Sequence, residues 1–168
     1  SIILSNNHEL LNIKDIKNLS KSLEVSIVDC SRLNSFEGLN GDSIFNITLS
    51  GNILCRKLDN INCLSTTKLI IVDWPYENLG GGYLPNIKNL LLSGVSNIDS
   101  INKFPKLEII TLEFSGLNDL FELNKNLLIK NLTIFGNENL ANCSIELICN
   151  KINDPNFRFE VGFNKSGC

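Results

Sequence analysis

Few residues in this chain are of types that do chemistry. His8 is the single histidine among 168 residues, so a mechanism that needs a histidine pair is excluded within the chain. Asp29 and Asp73 share one column of the pattern described below, with Gly51 between them. Acid–base work needs two carboxylates in a closed cleft, and calcium needs more oxygen ligands than this column supplies. Gly80-Gly81-Gly82 has the glycines of a phosphate cradle, but no Lys or Ser/Thr follows as in a P-loop. Six cysteines are present without a Cys-x-x-Cys pair, and His8 is distant from all of them, so a zinc site is not expected. No nucleophile has a base partner in the sequence. The chain is therefore read as a non-enzyme, with no cofactor and no metal.

Composition narrows the partners. Charged residues make up 20% and the net charge is −3, which argues against bulk disorder and against a nucleic-acid surface. No apolar run approaches the roughly 18 residues of a membrane helix, so direct membrane insertion by this segment is not expected. Methionine is absent even at position 1, the expectation being a processed product or an excerpt.

The element that must position any functional side chain is a repeat. The motif apolar, any, apolar, two of any, often Asn recurs through the chain. It appears as Ile2-x-Leu4-x-x-Asn7, Val25-x-Ile27-x-x-Cys30, Ile47-x-Leu49-x-x-Asn52, Leu69-x-Ile71, Leu90-x-Leu92, Ile110-x-Leu112, Leu132-x-Ile134-x-x-Asn137 and Phe159-x-Val161-x-x-Asn164. Repeats thus start near 2, 25, 47, 69, 90, 110, 132 and 159. Apolar residues then follow at +8, +11, +14 and +17: Leu10, Ile13, Ile16 and Leu19 in the first unit, Cys55, Leu58, Ile61 and Leu64 in the third, Ile98, Ile101, Phe104 and Leu107 in the fifth. The period switches from two to three, which predicts a strand followed by a short helix or 3₁₀ stretch. Such a unit cannot bury its apolar edge alone, so neighbours must stack into one solenoid domain over 1–168.

This pattern resembles the leucine-rich repeat family, in its short 22-residue class. The resemblance implies an α/β, right-handed horseshoe of about eight repeats, with a parallel concave sheet and short helices or 3₁₀ turns on the convex side. It also implies an asparagine ladder, matched by Asn7, Asn52, Asn137 and Asn164, with Cys30 an accepted substitute; Trp74, Val95 and Ser115 depart from it. Family members mostly bind proteins through the concave sheet.

Two stretches break the register. Trp74-Pro75-Tyr76 and Gly80-Gly81-Gly82-Tyr83 interrupt the fourth unit, and the gap after Leu140 widens to 27 residues. The segment 140–168 is expected to contain a C-terminal cap, because an array must cover its open ends. Cys149 and Cys168 flank the last unit and a disulfide between them would staple it, with Cys143 a rival partner. Cys55 and Cys143 fall in inward apolar slots. Five N-glycosylation sequons begin at Asn18, Asn46, Asn131, Asn142 and Asn164, where 26 asparagines and 21 serines plus threonines would give about three by chance. Asn46 and Asn131 precede the first inward strand residue and are expected to point out on the concave side.

The outward strand positions form one row: Ile3, Ser26, Thr48, Ile70, Leu91, Thr111, Thr133 and Glu160. Val72, Ile109, Phe114 and Phe135 join it in units four to seven, giving an apolar patch of the kind an interface exposes. Trp74, Tyr76 and Tyr83 fall within ten residues, types enriched at binding hot spots and presented here by a loop. The expected function is protein recognition by an extracellular or cell-surface glycoprotein, in adhesion or receptor–ligand binding, through the concave sheet and this loop. The expected partner is another protein, with a second copy of the chain among the candidates. The alternative is a cytoplasmic scaffold or phosphatase-regulator-type repeat protein.

Overall fold

The structure, a computed structural model, describes residues 1–16, 19–55, 58–73, 79–126 and 128–165. Eight strands form a single parallel sheet in chain order: β1 (Ile2–Ser5), β2 (Glu24–Val28), β3 (Asn46–Ser50), β4 (Lys68–Val72), β5 (Asn89–Ser93), β6 (Ile109–Glu113), β7 (Asn131–Phe135) and β8 (Arg158–Gly162). Each strand pairs with the next in a register that carries one repeat position onto the same position of its neighbour, as in Ile47 opposite Leu69 and Leu69 opposite Leu90. The expected parallel-strand solenoid with a spacing near 22 residues is the observed fold.

The two-residue period explains the layering. The alternate residues Val25, Ile27, Ile47, Leu49, Leu69, Ile71, Leu90, Leu92, Ile110, Leu112, Leu132 and Ile134 are all buried. Each contributes about 2 kcal/mol by leaving water. The return segments close the core from the other side, using 3₁₀ turns at Leu19–Lys21, Ile101–Lys103 and Phe121–Lys125 and one helix, α1 (Glu146–Lys151). α1 packs against the turn Phe121–Lys125.

The return segments of the third and sixth units show how the buried pattern departs from the three-residue rhythm. Leu64, expected inward, is exposed, while Cys63 and Thr66 are buried in its stead. The Thr66 hydroxyl donates to Ile44 O at 2.7 Å and the Cys63 thiol to Leu39 O at 3.4 Å, so each polar group is satisfied by the preceding turn. In the sixth unit the buried leucines are Leu117, Leu120 and Leu123, one residue earlier than the frame of the first unit.

Eight homologous residues terminate the strands with a positive φ: Asn6, Asp29, Gly51, Asp73, Gly94, Phe114, Gly136 and Phe163. Asparagine, aspartate and glycine adopt this left-handed conformation readily, whereas a bulky side chain does so at a cost of about 1–3 kcal/mol. Two of the eight are phenylalanine.

Candidate protein-recognition face

The sheet's outer face presents parallel rows of side chains. The first holds Glu24, Asn46, Lys68, Asn89, Ile109, Asn131 and Arg158. The second is the expected row from Ile3 to Glu160, in register throughout. A third runs Ser5, Val28, Ser50, Val72, Ser93, Glu113, Phe135 and Gly162. Ile70, Val72 and Leu91 are half-buried by their neighbours, while Ile109 is 37% exposed. Around Glu24, Asn46, Lys68, Ser26, Thr48 and Ile70 the face dips into a hollow of about 210 Å³.

Exposed aromatic rings gather at the far end of this face. Phe114 is 63% exposed and Phe163 81% exposed, and both rings lean on Phe135. The Phe114 and Phe135 centroids lie 5.8 Å apart, edge to face, and those of Phe135 and Phe163 lie 4.8 Å apart. Such contacts are worth about 0.5–1.5 kcal/mol each beyond the area they bury. Gly136 makes room for the cluster, because a Cβ there would come within 2.6 Å of the Phe114 ring. Phe163 was missed by reading strands one at a time. The signal that finds it is the +4 column of the repeat, where two phenylalanines stand among Asn, Asp and Gly.

Of the three loop aromatics, Tyr83 alone falls among the described residues. Tyr83 lies in a return segment, where its bridge to Asn62 extends the one between Asn40 and Asn62, and it is exposed there. Trp74 and Tyr76 lie outside the described residues.

The asparagine ladder runs behind the strand ends. Asn52 Oδ1 accepts the Cys30 N–H at 3.1 Å while its Nδ2 donates to Ile27 O at 2.7 Å. Asn137 accepts the Ser115 N–H at 3.2 Å and donates to Leu112 O and Phe135 O, at 3.1 and 3.0 Å. Asn164 accepts the Asn137 N–H at 2.8 Å and donates to Ile134 O. Ser115, a departure from the motif, is a working substitute: its Oγ accepts the Val95 N–H and donates to Glu113 O. Trp74 of the ladder column lies outside the described residues.

Among the sequon asparagines, Asn46 and Asn131 sit in the first outer row, half exposed, with Asn46 Nδ2 donating to Glu24 at 2.9 Å. Asn142 is exposed and its Oδ1 accepts the Ser144 N–H. The Asn164 amide nitrogen, the atom a glycan would occupy, is engaged in the ladder. Asn18 lies outside the described residues.

The cysteines correct one expectation. Cys149 is a free thiol on the exposed side of α1, so it is not bonded to Cys168, which lies outside the described residues. Cys143, the rival, is buried and disulfide-bonded. Cys30, Cys55 and Cys63 are buried free thiols. Burial pushes the Cys55 thiol up to about 12 and the Cys63 thiol up to about 11, which leaves both protonated and unreactive at neutral pH.

His8 Nδ1 lies 3.1 Å from Ser31 Oγ, a contact not foreseen in the sequence. Both are on an open surface, and the adjacent Glu9 carboxylate is paired to Arg32 at 2.6 Å. Among the described residues no three His, Cys, Asp or Glu side chains gather as metal ligands would. Comparison of the chain with protein-family models, with curated proteins and with solved structures finds no match.

Proposed function

We propose that this chain is a leucine-rich-repeat recognition module that binds another protein through the outer face of its sheet, with Phe114, Phe135 and Phe163 as the anchor. The observation that carries this reading is the exposed aromatic cluster held by two phenylalanines in a left-handed backbone conformation. A side chain kept in a costly conformation while facing water needs a reason other than folding. Large rings on a rigid sheet lose little freedom on contact, which is what a hot spot requires. The module is assigned to a secreted or cell-surface glycoprotein in adhesion or receptor–ligand binding. Asn46 and Asn131 support this assignment, since their sequons stand half exposed on the first outer row.

Intracellular scaffolding is the second reading, favoured by the free thiols Cys30, Cys55, Cys63 and Cys149. Intact mass of protein from its native host, with and without N-glycosidase, separates the two: glycan mass is expected, and its absence would move the module inside the cell. For the face itself, fluorescently labelled domain is titrated onto cells of the native host. Phe114→Ala plus Phe163→Ala is expected to weaken binding by about 2 kcal/mol or more, roughly thirtyfold. Unchanged binding by the double variant would remove the cluster from the interface.

A further inference from the structure

β8, at the edge of the sheet among the described residues, leaves both its backbone and its core slot open. β8 bonds β7 through the Arg158 N–H to Lys130 O at 2.7 Å and through the Gly136 N–H to Gly162 O at 3.0 Å. In a parallel pair alternate residues address the neighbour, so Arg158, Glu160 and Gly162 face β7. The N–H and C=O groups of Phe159 and Val161 point the other way, and among the described residues no strand meets them. Val161 also holds the inward slot that is fully buried in the six strands β2 to β7, yet it is 44% exposed. An edge of this kind is a template for another strand.

We propose that the β8 edge is the binding site for β8 of a second copy of this chain, paired antiparallel about a twofold axis at Phe159. Charge selects this register. A twofold at Glu160 sets that carboxylate against its own copy, and one at Val161 sets Arg158 opposite Asn164 and Glu160 opposite Gly162. At Phe159, Arg158 falls opposite Glu160 of the second copy, and Glu160 opposite its Arg158. Neither residue has an ion-pair partner among the described residues.

Backbone geometry excludes the Glu160 register and accommodates that at Phe159. Phe159 presents both its N–H and its C=O outward, so it forms a hydrogen-bonded pair with its copy. The Val161 N–H then meets the Phe157 carbonyl of the second copy, in both directions. The Phe157 N–H is already satisfied by Asp154 O at 3.0 Å, so only its carbonyl is needed. Arg158 and Glu160 land at the non-hydrogen-bonded positions, where cross-strand side chains approach most closely. On the core side Phe159 covers Phe159 and Val161 covers Phe157. Stacking β8 on β1 of another copy would instead set Glu160 against Ile3 and grow an open filament, with no charge matched.

Sedimentation velocity of the whole 168-residue chain, from micromolar to sub-millimolar concentration, tests this assignment. A monomer–dimer equilibrium that stops at the dimer is expected. Arg158→Glu, and separately Glu160→Arg, each weaken it by about tenfold or more, while the double swap Arg158→Glu plus Glu160→Arg restores it. Both residues are exposed, and circular dichroism of each variant is expected to match the parent. A monomer at every concentration, growth beyond the dimer, or a dimer indifferent to the single reversals would each overturn the proposal.

Discussion

At the scale of single residues, Asn137 is the point where the ladder is most heavily loaded. Its side chain is fully buried and accepts from Ser115 while donating to Leu112 and Phe135. Removing it leaves the Ser115 N–H without its acceptor in a place water does not reach, and takes a donor from Leu112 O and from Phe135 O, which keeps the Phe114 N–H. Asn137→Ala is therefore expected to cost about 2 kcal/mol by urea unfolding, from roughly 1–3 kcal/mol for a buried N–H left unsatisfied. Asn7→Ala, at the exposed start of the same column, is expected to cost under about 1 kcal/mol. Equal losses at both sites would mean that burial does not control the ladder. The ladder was legible in the sequence because asparagine recurs at one offset. The role of Ser115 was not, because a single hydroxyl has no periodic signature and its partners lie about 20 residues away on either side.

At the scale of elements, the strands were legible and the returns only in part. A strand buried on one face must alternate, so each apolar pair marks a register that stacking then enforces. Leu64 shows the weaker side of this logic: Cys63 and Thr66 fill the space its spacing claimed, because short polar groups there reach carbonyls of the preceding turn. The aromatic cluster was half legible. Phe114 and Phe135 stood out as exposed strand-end residues, but their union with Phe163 depends on the shared turn conformation. That turn supplies its own test at Gly136, whose φ is +66° and whose added Cβ would meet the Phe114 ring. Gly136→Ala is expected to destabilise by about 2 kcal/mol, of which roughly 1 is backbone strain and the rest the clash. In the background of Phe114→Ala the same change should cost only about 1 kcal/mol. An unchanged cost would place the whole effect in the backbone.

At the scale of the molecule, strand-to-strand contacts run between successive strands, and the 3₁₀ turns and α1 pack in the same order. Stability in such an array is a sum of unit and neighbour terms, and among the described residues the strand-to-strand contacts join neighbours only. The ends differ from the middle in burial: in the inward slot Leu4 is half-buried and Val161 44% exposed, while Ile71, Leu92 and Leu112 are fully buried. Local opening therefore takes less free energy at the ends than at the centre. Hydrogen exchange of the free monomer is expected to be slowest in β4 to β6 and to quicken toward β1 and β8. A central lesion should propagate where a terminal one does not. Leu92→Ala is expected to cost about 3 kcal/mol and to lower protection across all the strands, and Leu4→Ala to cost less and to act on β1 and β2 alone. If β8 gains a strand from a second copy, the gradient turns asymmetric with concentration. Protection of the Phe159 and Val161 amides then rises under dimerising conditions while that of β1 does not. A symmetric gradient at every concentration would leave the β8 edge as free as that of β1, so one exchange experiment reads both the linear architecture and the edge that closes it.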